Sequence, residues 1–204
     1  AAGTIGNWDL GSNGGNQGGP IGLRAGLVQT WHSIDSSRSV SYTGFSDSLD
    51  ADYDARTFQA FGELGYRIDT AAASFEPFAN LSHVRLHTDG FTEKGGAAAL
   101  SVNSETTNTT FTTLGLRASA LVQLGATTAN LKGTLGWRHA YGDITPESTQ
   151  YFAGSNAFTV EGVAIAKDAA LVEAGFDVAI TEASTLGLSY VGQFGNDTTQ
   201  NGFN

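Results

Sequence analysis

The sequence predicts an all-β protein whose antiparallel strands form a transmembrane β-barrel. Three observations indicate this class. Side chains alternate between apolar and polar with a period of two, the alternating segments run about 10–16 residues, and short and long connections alternate along the chain. Soluble sheets alternate as well, but their strands usually have five or six residues, whereas a tilted strand needs about 9–11 to cross a bilayer.

Composition narrows the class of protein further. The 204 residues suffice for a single domain, and the net charge of −10 argues against a nucleic-acid partner. The absence of cysteine excludes disulfides and cysteine-based metal or redox sites, and we expect no cofactor. No run approaches the roughly 18 apolar residues of a membrane helix, so none is predicted.

Seven segments have the length and alternation of membrane strands. The glycine- and asparagine-rich residues 1–20 are expected to be weakly structured, with at most one short strand at 4–10. Frayed ends could raise the number of strands to eight or nine. Pro77 cannot donate to a ladder and predicts an edge strand or a bulge. The seven segments are 21–34, 57–68, 73–87, 109–124, 127–141, 169–181 and 185–194.

The connections between these segments alternate in length without exception. Outer-membrane barrels join their strands by tight turns on the periplasmic side and by large polar loops outside. The residues after the last segment, 196–202, are expected to form a further outer loop. The short links are 69–72, 125–126 and 182–184, and the long ones are 35–56, 88–108 and 142–168.

The alternation assigns each side chain to one of two faces. The apolar face should point outward, with Leu23, Leu64, Leu116, Leu135, Phe176 and Leu188. The polar face should line the lumen, either as a solvated pore wall or as a charged channel that passes a polar segment or holds a helix. Its predicted members are Arg24, Glu63, Arg67, Glu76, Asn80, Arg117, Lys132, Arg138, Glu173 and Asp177.

Aromatic and basic residues mark the upper ends of the strands. Trp31, Trp137 and Phe194 lie about ten residues from a short turn on the apolar face, as expected for an interfacial girdle. Beyond them, His83, Arg85 and His87 continue the apolar parity, as expected for a strand that outgrows the bilayer.

The four histidines are the first candidates for catalysis. His83, His87 and Asp89 lie near the outer rim, where a hydrolase site is conceivable, although no nucleophile motif accompanies them. The competing interpretation is a polar strand end, and His32 and His139 are expected at headgroup level. Two strand histidines without a further ligand do not define a metal site.

Seven runs resemble the β-domain of autotransporters of the type V secretion pathway, over about residues 20–200 and in order. They are FGELGYRI (61–68), FEPFANLSHV (75–84), DGFTEKGGAAAL (89–100), TTLGLRA (112–118), LGWRHAYGDITPEST (135–149), FTVEGVAIAKDAALVEAGFD (158–177) and LGLSYVGQFG (186–195).

The resemblance implies a twelve-stranded barrel in the bacterial outer membrane that anchors and helps export an N-terminal passenger. The implied partners are that passenger, a linker helix in the pore, the barrel-assembly machinery and outer-membrane lipids, and no enzyme activity is implied. Against the family pattern, the last strand and several N-terminal strands have no counterpart, so we expect residues 1–204 alone not to close a stable pore. A general porin and an outer-membrane hydrolase are the alternatives.

Overall fold

The computed structural model describes residues 2–125, 127–181, 184–196 and 198–203. The predicted short connections at 125–126 and 182–184 each include residues outside this description. Every element in the described part is a β-strand. The strands are β1 (Ala2–Gly18), β2 (Ile21–Tyr42), β3 (Phe45–Tyr66), β4 (Ile68–Asp69), β5 (Ser74–Thr88), β6 (Phe91–Thr92), β7 (Leu100–Val102), β8 (Glu105–Leu124), β9 (Thr127–Gly142), β10 (Glu147–Phe152), β11 (Phe158–Glu161), β12 (Asp168–Thr181), β13 (Ser184–Gly195) and β14 (Thr199–Phe203).

The long strands form one antiparallel sheet of ten strands, in the order β1-β2-β3-β5-β8-β9-β12-β13-β14, with β4 beside β5. Each long strand pairs with its neighbour in sequence, which is the up-and-down order of a barrel wall. The predicted all-β antiparallel class is confirmed. In the described residues β1 and β14 are the two edges of this sheet.

No helix in the described part of the chain is long and apolar enough to cross a membrane.

The first strand corrects the expectation of a weakly structured N-terminal segment. β1 pairs with β2 along its whole length, from Ala2 opposite Ser37 to Gly18 opposite Ile21. Glycine and asparagine lower the intrinsic strand preference, but pairing to a formed neighbour outweighs a scale that spans only about 1 kcal/mol. Trp8 also stacks on Trp31, with ring centroids 3.9 Å apart.

The polar segment 35–56 is a hairpin and not the long loop that its composition predicted. β2 and β3 stay paired up to Tyr42 and Phe45, and the turn uses Gly44 at a positive φ of 87°. Serine, threonine and aspartate make a strand face polar, but their backbone N–H and C=O groups still pair with the neighbouring strand. The register set lower in the sheet therefore continues to the turn.

The other two long connections also contain strands. Residues 88–108 supply β6 and β7, residues 142–168 supply β10 and β11, and the four form a second sheet in the order β11-β10-β7-β6. A bridge between Asp50 and Lys94 attaches this outer sheet to β3. Polarity correctly predicted that these segments leave the barrel wall, but it did not predict that they pair with each other.

Pro77 lies inside the main sheet, so the predicted edge position is wrong. β5 runs between β3 and β8, and Pro77 faces Leu116 of β8. On the other side, pairing stops at Gly65 opposite Phe78 and resumes at Ile68 opposite Phe75. Pro77 occupies this interruption, where the ladder requires no N–H from it.

The segment expected as the last outer loop contains β14, which pairs with β13 from Tyr190 opposite Phe203 to Phe194 opposite Thr199. The chain therefore turns soon after Gly195 and starts a further strand. Gly and Asn suggested a loop here, because both residues are depleted in strands.

The large side chains of the apolar face are exposed. Register places Leu23 opposite Leu64, and Leu116 opposite Leu135, so these side chains share one face. The predicted outward position of six apolar residues is confirmed, since each is 38% to 63% exposed: Leu23, Leu64, Leu116, Leu135, Phe176 and Leu188. A soluble core would have buried them.

Candidate functional site: the polar face of the main sheet

The polar side chains of neighbouring strands meet on the face opposite the leucines. Register pairs Arg24 with Glu63, Glu63 with Asn80, and Glu76 with Arg117. Because strand side chains alternate between faces, all five point to the same side of the sheet. The same residues are the ones that the sequence analysis assigns to the polar face, and their predicted position in the lumen stays a prediction.

Four of these residues form a closed ion-pair network, defined as Arg24, Glu63, Glu76 and Arg117. Arg24 donates to Glu63 at 2.7 Å and to Glu76 at 2.8 Å. Arg117 donates to Glu63 at 2.8 and 2.9 Å and to Glu76 at 2.9 Å. Asn80 adds a hydrogen bond to Glu63 at 3.3 Å. Each carboxylate thus accepts hydrogen bonds from both guanidinium groups.

The network spans strands that are not neighbours. Arg24 of β2 reaches Glu76 of β5 over β3, and Arg117 of β8 reaches Glu63 of β3 over β5. Strands two apart lie about 10 Å from each other, so their side chains meet only where they converge. Convergence is a property of the concave face of a curled sheet. The carboxylates are accordingly enclosed, with 8% of Glu63 and 14% of Glu76 exposed.

An aromatic ring supports the network from below. Phe78 lies between Gly65 and Gly115 in register, and the Arg117 guanidinium stands 3.8 Å over its ring. A Cβ on Gly115 would meet the Phe78 ring at 2.6 Å and the Leu135 carbonyl at 2.8 Å. The sequence reasoning missed this packing. The sequence signal that could have revealed it is a glycine at a polar-face position in each of two strands, Gly65 and Gly115.

The other predicted members of the polar face form separate contacts. Lys132 pairs with Asp177, Arg67 with Asp69 at 2.9 Å, and Arg138 donates to Gln193. Glu173 is exposed and makes no ion pair with the part of the chain that the structure describes. A groove of about 370 Å³ connects this region to the network, and it is lined in part by Arg67, Glu76, Arg117, Lys132 and Glu173.

The predicted interfacial aromatics lie on the leucine face. Trp137 faces Ala170, which faces Phe194, so two of the three rings share one row across the sheet. Trp137 and Phe194 are exposed, and the half-buried Trp31 stacks on Trp8. Trp137 donates to Asp168 at 3.0 Å.

The histidines make separate local contacts. His83 contacts the Thr110 hydroxyl at 2.9 Å. His87 contacts the Thr106 hydroxyl at 2.8 Å and Asp89 at 3.1 Å, so its two ring nitrogens are both engaged. These contacts engage one ring nitrogen of His83 and both ring nitrogens of His87. A hydrolytic site would also need donors placed for an oxyanion.

The outer sheet is attached to the barrel wall by a second cluster that the sequence reasoning missed. Arg38 of β2 donates to both oxygens of Glu93, at 2.6 and 2.5 Å, and to the Ala98 carbonyl at 2.8 Å. The Leu100 N–H donates to the same carboxylate at 2.9 Å. The Arg38 guanidinium holds the pKa of the Glu93 carboxyl below its usual value. Nothing in the sequence pairs two residues so far apart.

A sheet that exposes an apolar belt on one face and joins its charged groups on the other is the wall of an outer-membrane barrel. Comparison with known proteins specifies the kind of barrel. A family model described as Autotransporter beta-domain matches residues 1–191. Two Serratia marcescens proteins, each named extracellular serine protease, are 40% identical over 199 and 196 residues, which are 97% and 96% of this chain. The chain spans 19% of the length of each.

Solved structures show the same fold. The β domain of the Bordetella autotransporter BrkA aligns with a TM-score of 0.61 at 19% identity, over 98% of this chain and 71% of that one. The translocator domain of the autotransporter NalP from Neisseria meningitidis aligns with a TM-score of 0.65 at 18% identity, over 98% of this chain and 64% of that one. The chain belongs to the autotransporter β-domain family. It is therefore an outer-membrane translocator domain that serves passenger secretion.

Proposed function

We propose that this chain anchors an N-terminal passenger in the outer membrane and assists its export through or alongside the barrel. The network of Arg24, Glu63, Glu76 and Arg117 carries the proposal. Its charges neutralise one another around two enclosed carboxylates, while the leucines of the opposite face are exposed. This is the reverse of a soluble protein, and it supports a lumen that is polar, hydrated and mechanically fixed.

The lumen wall would then consist of the network together with the remaining polar-face residues. The groove beside the network carries both signs of charge, which suits a polar segment such as a linker helix more than a bare lipid or an apolar ligand. The proposed lumen-facing residues are Arg24, Glu63, Arg67, Glu76, Arg117, Lys132, Arg138, Glu173 and Asp177.

The aromatic residues of the leucine face set the height of the barrel in the membrane. Trp31, Trp137 and Phe194 would lie at the outer headgroup level, because amphipathic rings prefer that region. In this arrangement the leucine face contacts the lipids of the outer membrane. The barrel-assembly machinery is the expected partner for insertion, as the resemblance to autotransporter β-domains implies.

The contribution of this chain is export and not catalysis. The Serratia relatives are named for a secreted protease, and the matched 19% of each is the part that corresponds to a β-domain. His87 has an acid and a hydroxyl within hydrogen-bond distance. If His87→Ala in the full precursor abolished hydrolysis of an ester or peptide while the barrel stayed folded, a hydrolase would replace this proposal.

The test uses the full precursor expressed in a Gram-negative host, with the passenger detected at the cell surface by an antibody. Deleting residues 1–204 should leave the passenger in the periplasm. Glu63→Arg, which places three positive charges in the network, should reduce surface passenger severalfold, and Glu173→Arg on the same face should have a smaller effect. If the passenger reached the surface undiminished without this segment, the proposal would be wrong. Stable open conductance without any covalent passenger would indicate a porin.

A further inference from the structure

Two arginines lie on the leucine face, above the apolar belt. Arg56 of β3 shares its parity with Leu64, and Arg85 of β5 shares its parity with Leu81. In both strands the leucine is nearer the short turn and the arginine is nearer the outer end. The Arg56 side chain is 59% exposed, and Arg85 is also exposed.

Arg56 and Arg85 occupy neighbouring positions on the leucine face. Register places Arg85 opposite Phe58 and Arg56 opposite His87, so the two arginines are on a diagonal of adjacent strands. Such residues lie within about 7–8 Å, and like charges at that distance repel. A groove of about 330 Å³ lies between them, lined by Gln29, Arg56, Phe58, Arg85 and His87.

The protein supplies only part of the negative charge that this pair requires. Asp89 is 3.7 Å from Arg56 and 3.1 Å from His87. Arg85 makes no ion pair within the described residues. The chain carries only 10 Lys and Arg residues against 20 Asp and Glu residues, so a pair of arginines with a single nearby carboxylate is not a consequence of a generally basic surface.

The groove lies at the level of two stacked tryptophans. Trp31 is directly opposite Arg56 in register, and its ring stacks on Trp8 at 3.9 Å. Tryptophan on a lipid-facing strand prefers the headgroup region. A charge at that depth is inexpensive only if it meets water or a counter-charge, and a phosphate can accept two parallel hydrogen bonds from one arginine.

We propose that Arg56 and Arg85 together bind the phosphate of an outer-leaflet lipid headgroup, whose acyl chains lie on the belt below Phe58. The inference deepens the proposed function, because it rests on the leucine face being the membrane face. Planar guanidinium groups on adjacent strands offer several N–H donors to one phosphate. The lipid would then fix β3 and β5 at the membrane surface, on the outside of the wall that holds the ion-pair network.

The test titrates the full precursor, purified in detergent, with diphosphoryl lipid A, with the same lipid stripped of its phosphates, and with inorganic phosphate. Bound lipid is counted by native mass spectrometry. The double variant Arg56→Gln/Arg85→Gln should bind the diphosphorylated lipid about tenfold or more weakly, since it loses charge-assisted hydrogen bonds. The matched control Lys94→Gln/Lys167→Gln removes the same charge from exposed positions and should bind as the original protein does.

Equal binding of the stripped lipid, or an unchanged affinity in the double variant, would overturn the proposal. Inorganic phosphate binding as tightly as the lipid would overturn the lipid assignment. Heat-modifiable mobility on a gel verifies folding, and Arg85→Gln alone serves if the double variant does not fold. Surface display of the passenger by the unaltered precursor is scored separately, so failure of the headgroup site and failure of the export proposal give different results.

Discussion

Arg117 donates hydrogen bonds to both carboxylate oxygens of Glu63, at 2.8 and 2.9 Å, although the strand β5 lies between them. The two residues are 54 positions apart in sequence. A slip of one residue in either strand would turn one partner to the opposite face. The pair therefore specifies register across three strands, in addition to placing charge on the polar face.

Glu63→Gln should destabilise the folded barrel by about 1–3 kcal/mol, because Glu63 is enclosed and accepts bonds from both arginines. Urea titration of folding in lipid vesicles measures the change. Glu173→Gln removes the same charge from an exposed position on the same face and should cost less than about 0.5 kcal/mol. Equal costs would mean that the network does not stabilise the fold.

Gly115→Ala should destabilise by about 1–3 kcal/mol, because the added Cβ meets the Phe78 ring and the Leu135 carbonyl. Gly62 is the control, since a Cβ there has nothing within 4 Å. Gly62→Ala should change stability by less than about 0.5 kcal/mol. The temperature at which heat-modifiable mobility is lost distinguishes the two. If Gly115→Ala left the stability unchanged, the Phe78 ring would have room to move away from the added Cβ.

Leu116→Arg should weaken membrane insertion by about 2–4 kcal/mol if the residue lies near the bilayer midplane. Gln123→Arg in the same strand β8, at the polar parity, should cost much less. Refolding titrations into lipid vesicles measure both. The assignment of the two faces would be contradicted by equal effects.

Acidification should loosen the outer sheet through Glu93. Its pKa is lowered by the Arg38 hydrogen bonds, so the stabilisation is complete above the usual glutamate value and is lost as the pH falls through the lowered pKa. The rate of amide hydrogen exchange in residues 91–102, corrected for intrinsic rates, should therefore increase as the pH falls through the lowered pKa. Glu93→Gln should show fast exchange already at neutral pH, and Glu161→Gln in β11 should behave as the unaltered chain. If Glu93→Gln left the hydrogen-exchange protection of residues 91–102 unchanged, this role of Glu93 would be refuted.

Residues 1–204 alone should not give a heat-modifiable, protease-resistant monomer with stable conductance. In the described residues the sheet has edges at β1 and β14, and unpaired backbone groups in hydrocarbon cost several kcal/mol each. The solved BrkA and NalP domains extend beyond the matched region, which covers 71% and 64% of them. The control is the same segment within its full precursor. A stable small pore from the segment would show that the two edges can close.

Alternation along the chain was enough to predict the seven long strand segments between Ile21 and Phe194 and the outward faces of Leu64 and Leu116, but not the short strands of the long connections or β14. It works because each strand side chain faces either lipid or water, and the two environments select different residues. The same signal failed for β1 and for the hairpin tops of β2 and β3. In the hairpin tops both faces meet water, so composition no longer reports backbone pairing. In β1 glycine and asparagine lower the strand preference, although β1 pairs with β2 along its whole length.

The sequence by itself determined the class of fold, the membrane face and the residues available to the polar face, because these depend on a local period of two. Only the tertiary structure decided which charges meet. Curvature of the sheet brings Arg24 to Glu76 and Arg117 to Glu63 over intervening strands, and pairing between two distant connections brings Arg38 to Glu93. These contacts depend on register and curvature, which are sums over many residue pairs and leave no signal in any one segment.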